Sequence, residues 1–314
     1  MQSPAPLVVV LATGGTIAGT AASSTDTTGY RAGALGVDAL IAAVPALAGH
    51  RLESEAIAAI DSKDMDAATW QLLARRAAHH LARPEVAGVV VTHGTDTLEE
   101  TAYFLQRVLA PLKPVVLTAA MRPASALSPD GPANLLDAVA VAEVADARGV
   151  SVVVAGAAWA AVGLRKVHTL RTAAFEASDC GPLARLEGGM LRRFRDWPQG
   201  EALGLARIAA AAADWPRVEI VLNHAGADGR IVDALVAGGV RGLVVAGTGH
   251  GTVSARLEAA LARARDAGVR VARASRCAFG PVLPHGEDDA EAAGELSAVQ
   301  ARVELQLQLL AAPM

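Results

Sequence analysis

LVVVLATGGT, residues 7–16, is a short apolar run that ends in a polar turn. The same order recurs in VAGVVVTHGTD, residues 86–96. Both runs are continuously apolar rather than alternating, which is typical of strands in a parallel sheet whose two faces are covered by helices. We therefore predict buried strands at Leu7–Leu11 and Val86–Val91.

Strand and helix patterns alternate along the rest of the chain. An apolar stripe from Leu98 to Leu109 recurs at i, i+4, i+7 and i+11, which indicates one face of a helix. Further helices are predicted at Ser254–Ala267 and Ser297–Leu310. The remaining apolar runs predict strands at Pro114–Thr118, Val150–Ala155, Val218–Leu222 and Gly242–Ala246. This alternation predicts an α/β fold, with a larger N-terminal domain whose mostly parallel sheet is flanked by helices and a smaller C-terminal α/β domain.

A break in composition divides the chain. Its 314 residues suggest two domains, at about 150 residues per domain. The break runs from Gly188 to Arg217, carries an alanine run, and repeats Asp-Trp-Pro at 196–198 and 214–216. We predict an N-terminal catalytic domain at 1–195, a linker at 196–216 and a C-terminal domain at 217–314.

The amino-acid composition excludes several classes of protein. With 52% hydrophobic and 19% charged residues the chain can bury a large core, and its formal net charge of −4 argues against a nucleic-acid partner. Two cysteines, Cys180 and Cys277, cannot build a disulfide framework and are expected to be buried. The N-terminus lacks the basic region of a signal peptide, and no stretch of 18 residues is apolar enough to span a bilayer. We expect a cytoplasmic protein without a membrane partner.

The two polar turns are candidate sites, because ligands of open parallel sheets bind beyond the carboxyl ends of the strands. Residues 13–19 and 92–97 place hydroxyl side chains beside glycines, whose backbone N–H groups can stabilise an oxyanion. A plain tight turn remains open at both places. A phosphate loop lacks its Lys-Ser/Thr pair, and Gly247–Thr252 has Thr where a dinucleotide fingerprint needs its third glycine. His79 and His80 are adjacent rather than at metal-ligand spacing, so neither metal nor cofactor is expected.

Five motifs distinguish between these interpretations of the two turns. They are GGTI at 14–17, DSKDM at 61–65, HGTDT at 93–97, MRP at 121–123 and SPDGPAN at 128–134. With these motifs the chain resembles the bacterial-type L-asparaginases over nearly its whole length. The resemblance implies hydrolysis of L-asparagine to L-aspartate and ammonia through a threonine acyl-enzyme, by a homotetramer built from close dimers.

The resemblance also implies roles for individual residues. Thr16 is the expected nucleophile, Tyr30 helps to take its proton, and Glu287 from a neighbouring subunit orients Tyr30. Thr95, Asp96 and Lys166 form a second triad that activates water or protonates the leaving ammonia. The implied substrate-binding residues are Gly15, Asp61, Ser62, Lys63, Gly94 and Ala120.

From the residues alone, non-catalytic interpretations of three of these site residues remain open. Tyr30 could be a surface anchor, Lys166 a solvated lysine and Glu287 part of a solvated acidic turn. His93 is expected to be a structural hydrogen-bonding residue rather than a base.

Two positions depart from the family pattern. Lys63 stands where the best-known members carry Gln or Glu, and Thr252 replaces an Asn that favours glutamine in relatives. Lys63 either faces the substrate and repels its α-ammonium group, or points away and pairs with a carboxylate such as Asp64. Both changes predict low glutaminase activity. The alternatives are a broader glutaminase-asparaginase or an amidase for another small amide, a non-catalytic binding protein on the same fold, and the related tRNA-amidotransferase subunit, which carries an extra N-terminal domain.

Overall fold

The computed structural model describes residues 5–26, 28–284 and 291–310. The chain divides into two compact units. Unit 1 comprises Met1–Ala177 and Gly181–Leu205, and unit 2 comprises Ser178–Cys180 and Ala206–Met314. The predicted α/β fold class is confirmed.

Unit 1 contains twelve described strands and four α-helices. Its strands are β1 (Leu7–Gly14), β2 (Thr20–Ala21), β3 (Tyr30–Arg31), β4 (Arg51–Ile60), β5 (Val86–Thr92), β6 (Val115–Thr118), β7 (Val150–Val154), β8 (Ala157–Ala160), β9 (Leu164–Lys166), β10 (Phe175–Ala177), β11 (Ala184–Glu187) and β12 (Met190–Arg193). Its helices are α1 (Val37–Ala42), α2 (Ala67–Leu81), α3 (Leu98–Leu109) and α4 (Gly131–Ala142).

The main sheet of unit 1 has the strand order β12-β11-β8-β7-β6-β5-β1-β4. The five strands from β7 to β4 pair in parallel, whereas β8, β11 and β12 are antiparallel additions at the other edge. Two-stranded ribbons join β2 with β3 and β9 with β10. The parallel part places the carboxyl ends of β4, β1 and β5 side by side.

Helices cover the parallel strands, as the continuous apolar runs predict. All eight residues of β1 are buried. Val8 and Val10 pack with Leu135 and Val139 of α4 on one face, while α2 and α3 pack through stacked rings of Trp70 and Phe104, 4.8 Å apart. Each fully buried Leu or Val side chain stabilises the fold by roughly 1.5–3 kcal/mol. This packing fixes the strand ends on which the turns sit.

The described elements of unit 2 are β13 (Val218–Leu222), β14 (Gly242–Gly247), β15 (Arg270–Ser275), β16 (Glu291–Ala292), α5 (Arg230–Ala237), α6 (Ala255–Asp266) and α7 (Ala298–Leu309). The strands form a parallel sheet of order β13-β14-β15-β16. Helices α6 and α7 begin directly after Ser254 and Ser297, whose hydroxyls accept the N–H groups of Leu257 and Gln300. Replacing such a cap by alanine costs about 1 kcal/mol.

Strand β4 was missed because it does not look like a buried strand. It lies at the sheet edge, and its acidic side chains Glu53 and Glu55 are held by cations of α2 and the turn after it. Arg76 donates to both Glu55 oxygens at 2.7 and 2.8 Å, and Arg83 donates to Glu53 at 2.6 and 3.0 Å. The burial of both cysteines was predicted wrongly: Cys180 and Cys277 are exposed, because both lie in turns beyond strand ends.

Strand β12 falls within the composition break, whose first residues thus belong to the main sheet of unit 1. The boundaries of the linker at 196–216 stay a prediction. Over the described part of the chain, every helix is too short or too polar to cross a bilayer.

Candidate active site

Two turns meet at the carboxyl edge of the parallel strands in unit 1. Gly14 and Gly15 have φ values of +106° and +81°, in the region that favours glycine. A Cβ atom on Gly15 would overlap the backbone of His93 and Gly94. The turn after β1 and the turn after β5 are therefore in direct backbone contact, which only a glycine permits.

Ser62 joins a third turn, after β4, to the same place. Its hydroxyl accepts the N–H of Asp96 at 3.1 Å, and its carbonyl accepts the Thr97 hydroxyl at 2.7 Å. A Cβ on Gly94 would overlap the Ser62 side chain. Ser62 is 2% exposed, so this contact forms part of the buried floor of the site.

Thr16 is paired with Tyr30. Its hydroxyl oxygen lies 2.6 Å from the phenol oxygen, and Thr16 itself is buried in the short 3-10 turn Thr16–Ala18. Tyr30 belongs to the β2–β3 ribbon, which is tied down by a hydrogen bond from the Ala21 N–H to the Ser125 hydroxyl at 2.8 Å. This short hydrogen bond places the two hydroxyls within proton-transfer distance.

Thr95 is paired with a cation instead. Lys166, at the end of β9, donates to the Thr95 hydroxyl at 2.8 Å and to Asp96 Oδ1 at 2.6 Å. Thr95 is buried, whereas the Asp96 side chain is half exposed. The Thr95 hydroxyl is thus placed beside a proton donor, and Lys166 contacts Asp96 through Oδ1.

His93 is buried and connects the turn after β5 to α3. Burial lowers its pKa from 6.5 to about 4, so the ring is neutral at pH 7. Its Nδ1–H donates to the Gly94 carbonyl at 2.7 Å, and its Nε2 accepts the Thr101 hydroxyl at 3.0 Å. Trp70 Nε1 in turn donates to Thr101 at 2.9 Å. This chain of hydrogen bonds agrees with the structural role expected for His93.

Glu99, in the first turn of α3, was missed from the sequence. Burial raises its pKa from 4.5 to about 7, and Oε1 lies 3.4 Å from the Lys166 N–H. In the sequence Glu99 is one of two acids at a helix start, where acids are common because they complement the helix dipole. Only the fold shows that it lies against the backbone of Lys166.

Lys63 is paired with Asp61, another of the predicted site residues. Its ammonium lies 2.5 Å from Asp61 Oδ2, and its side chain is 64% exposed. The hydrogen bond to Asp61 raises the pKa of Lys63, with smaller contributions from Asp64 and Asp96. Of the two orientations considered, the structure has the paired one, with Asp61 rather than Asp64 as the partner.

The backbone of Gly15 is committed to structural hydrogen bonds. Its N–H donates to the Ile60 carbonyl at 2.9 Å, and its own carbonyl accepts the N–H groups of Ala18 and Gly33. Any oxyanion at this edge must therefore be stabilised by other N–H groups, of which those of Thr16 and Thr95 stand beside the two hydroxyls.

The predicted site residues thus largely come together in unit 1. Ala120 lies two residues beyond the end of β6 and is buried. Glu287 lies outside the described residues. In unit 2, Thr252 is hydrogen-bonded to Thr248, each N–H donating to the other's carbonyl at 2.8 or 2.9 Å.

Within residues 5–26, 28–284 and 291–310, no group of three or more His, Cys, Asp or Glu side chains is placed to hold a metal ion.

Known families match both parts of the chain. The family described as "Asparaginase, N-terminal" matches residues 7–199, and "Glutaminase/Asparaginase C-terminal domain" matches residues 217–312. Together they span most of the sequence.

Individual proteins give the same result. L-asparaginase 2 of Bacillus subtilis is 37% identical over 311 residues, covering 97% of this chain and 82% of that protein. A glutaminase-asparaginase of Pseudomonas fluorescens is 38% identical, covering 89% and 78%. The crystal structure of a probable cytoplasmic L-asparaginase from Campylobacter jejuni superposes with a TM-score of 0.92 at 36% identity, covering 98% and 96%. The chain belongs to the asparaginase family of amidohydrolases.

Proposed function

We propose that this protein hydrolyses the side-chain amide of L-asparagine to L-aspartate and ammonia, with Thr16 as the nucleophile. The observation that carries the proposal is the pairing of two buried threonine hydroxyls with different proton-transfer partners, on turns that touch. Thr16 lies 2.6 Å from the Tyr30 phenol, and Thr95 lies 2.8 Å from the Lys166 ammonium.

Acylation uses both pairs. Thr16 Oγ1 forms a bond to the amide carbon while its proton passes to the Tyr30 oxygen, and the proton that Tyr30 carried passes on to solvent. The negative charge that develops on the carbonyl oxygen is stabilised by the backbone N–H groups of Thr16 and Thr95. The C–N bond then breaks as the nitrogen takes a proton from the Thr95 hydroxyl, and Lys166 supplies the proton that replaces it.

Deacylation reverses the roles of the hydroxyls. Water attacks the ester carbon, with the Thr95–Lys166 pair accepting its proton, and the C–O bond to Thr16 breaks. The Thr16 oxygen takes the Tyr30 proton, Tyr30 takes a proton from solvent in its place, and aspartate leaves.

The residues around the two pairs recognise the amino-acid end of the substrate. Ser62 and Asp96 hold the α-carboxylate and the α-ammonium group, the latter through the Asp96 oxygen that Lys166 does not use. The Ala120 carbonyl accepts a hydrogen bond from the N–H group of the substrate's side-chain amide. Lys63 and Asp61 form a pair of opposite charges beside Ser62 and shape this end of the site.

The assembly and compartment belong to the same proposal. We propose a cytoplasmic homotetramer of close dimers that serves asparagine catabolism, in which Glu287 of one subunit completes the Tyr30 environment of another. The name of the Campylobacter jejuni relative, a probable cytoplasmic enzyme, supports the compartment. Cell fractionation and light scattering test these two points.

The substrate range has a second candidate. The Pseudomonas fluorescens relative is named a glutaminase-asparaginase, so a broader enzyme that also cleaves glutamine is the alternative. We propose low glutaminase activity, because Lys63 and Thr252 depart from the residues of the best-known members.

One assay separates these functions. Ammonia release is measured with asparagine, with glutamine and with buffer alone. Release from asparagine with at most a few per cent of that rate on glutamine supports the proposal. Comparable rates on both substrates identify the broader enzyme, and no release above buffer identifies a binding protein.

A further inference from the structure

The turn that follows β6 is held by the carboxylate of Asp130. Asp130 immediately precedes α4, where an aspartate ordinarily accepts a backbone N–H of its own helix. Here its side chain makes no such capping bond. Its two oxygens instead accept the N–H groups of Met121 and Arg122, at 3.0 and 2.9 Å. An aspartate that leaves its own helix uncapped and binds another segment indicates that the position of that segment matters.

The planarity of the peptide bond gives this contact a consequence. Met121 N–H and the Ala120 carbonyl belong to the same trans peptide group, so they point in opposite directions. Because the N–H is directed at Asp130, the Ala120 carbonyl is directed away from Asp130. The carboxylate therefore sets the direction of a carbonyl that it does not touch.

Neighbouring contacts leave this carbonyl at the carboxyl edge of the sheet. Asn134 Nδ2 donates to the preceding carbonyl, that of Ala119, at 2.8 Å. The Thr118 carbonyl accepts the N–H of His93 at 2.9 Å, which joins the turn to the Thr95 segment. A Cβ on Gly131 would approach both Ile17 and Ala120, so Ala120 also borders the Thr16 turn.

We propose that Asp130 is a positioning residue that aims the Ala120 carbonyl at the leaving nitrogen of the substrate amide. The proposal rests on the proposed function. The nitrogen carries hydrogens throughout acylation and can donate one to the carbonyl as the C–N bond breaks. A carbonyl turned away by even a small rotation of its peptide loses this bond.

An ester substrate separates aiming from general support of the fold. The methoxy oxygen of L-aspartate β-methyl ester has no hydrogen to donate, so this ester does not use the Ala120 carbonyl. Esters also acylate hydroxyl nucleophiles more readily than amides do. The quantity to measure is the ratio of kcat/KM for asparagine to kcat/KM for the β-methyl ester.

The decisive variant is Asp130→Asn, which keeps size but presents an NH₂ group to one of the two N–H donors. We expect the amide-to-ester ratio to fall about tenfold or more, the effect of one misplaced hydrogen bond. The ester rate should stay within about threefold of wild type. Because both rates come from one sample, the ratio does not depend on the fraction of folded protein.

Two further variants complete the test. Asp137→Asn makes the same charge change on the same helix, away from the 119–122 turn, and should leave the ratio unchanged. If Asp130→Asn is insoluble, Asp130→Glu displaces both oxygens and should also lower the ratio. An unchanged ratio in either soluble Asp130 variant overturns the proposal, as does an equal loss on amide and ester. Wild-type protein that releases no ammonia from asparagine contradicts the proposed function instead.

Discussion

The two threonine hydroxyls of unit 1 stand at equivalent places in the fold but have different partners. Thr16 follows β1 and is hydrogen-bonded to the phenol of a tyrosine on a two-stranded ribbon. Thr95 follows β5 and is bonded to an ammonium that a carboxylate also holds. A hydroxyl beside a phenol can lose its proton along a short hydrogen bond, whereas a hydroxyl beside an ammonium is supplied with one. In the proposed mechanism, this difference gives attack to Thr16 and proton delivery to Thr95.

Removing the Thr16 hydroxyl should have the largest effect. Thr16→Ala is expected to lower kcat about a thousandfold or more, a typical cost for a nucleophile, while the folded protein still binds aspartate. Thr16→Ser keeps the hydroxyl and is the matched control, with a much smaller loss. Steady-state ammonia release and calorimetric binding of aspartate measure the two quantities. An alanine variant with more than a tenth of wild-type turnover would exclude Thr16 as the nucleophile.

Removing the cation on the other side should cost less, because Thr16 keeps its own partner. Lys166→Met is expected to lower kcat about a hundredfold, within the range for general acid–base catalysis. Lys113→Met is the control, since Lys113 donates to the Arg83 carbonyl at 2.7 Å, outside the site residues. Loss of less than about threefold in Lys166→Met would remove it from the mechanism.

The proposed contact of Tyr30 with Glu287 of a neighbouring subunit predicts an active site that is shared between chains. Mixed Thr16→Ala and Glu287→Ala subunits should recover about one quarter of wild-type activity after exchange, because each hybrid dimer contains one intact site. Mixed Thr16→Ala and Lys166→Met subunits are the control and should stay inactive, since both defects lie on the same side of the shared site. A first mixture that exchanges subunits but stays inactive contradicts the role of Glu287.

Glu99, which lies against the backbone of Lys166, should make the stability of the protein depend on pH. Glu99 ionises near pH 4.5 in the unfolded chain but near pH 7 when folded, so the folded state loses stability as pH rises between these values. The full difference corresponds to about 3 kcal/mol. Glu99→Gln should therefore stabilise the protein by about 2–3 kcal/mol more at pH 8 than at pH 5 in urea unfolding. Glu100→Gln serves as the control, and an equal effect of Glu99→Gln at both pH values would contradict the argument.

The smallest effect is expected at Lys63. Since its ammonium is paired with Asp61 and exposed, solvent screens its repulsion of a substrate ammonium. Lys63→Gln should lower KM for asparagine, or raise the glutamine-to-asparagine ratio of kcat/KM, by between twofold and about fivefold. Changes below twofold in both quantities mean that Lys63 does not influence specificity.

The sequence predicts those parts of the molecule in which local pattern and fold agree. Continuous apolar runs identify β1, β5, β6 and β7, because both of their faces are buried. The starts of α6 and α7 follow from serine caps. Strand β4 escapes detection because its glutamates are matched by arginines that are distant in sequence.

In the candidate active site, too, some features can be predicted from the sequence and others cannot. Glycine and threonine turns can be read directly, since their backbone geometry restricts the residue type. The positions of Glu99 and Asp130 depend on contacts with Lys166 and with the turn after β6, which no local pattern reveals. The DSKDM motif likewise contains Lys63 and its partner Asp61, but only the fold shows which way the side chain turns.

The proposed mechanism requires that Thr16, and not Thr95, becomes acylated. Wild-type protein mixed with excess asparagine and quenched in acid within milliseconds should carry one aspartyl group on some of its molecules. Digestion and mass spectrometry should locate that group on Thr16 in the peptide that contains Gly14–Ile17. An aspartyl group on Thr95, or none at Thr16 under conditions of rapid ammonia release, would contradict the account.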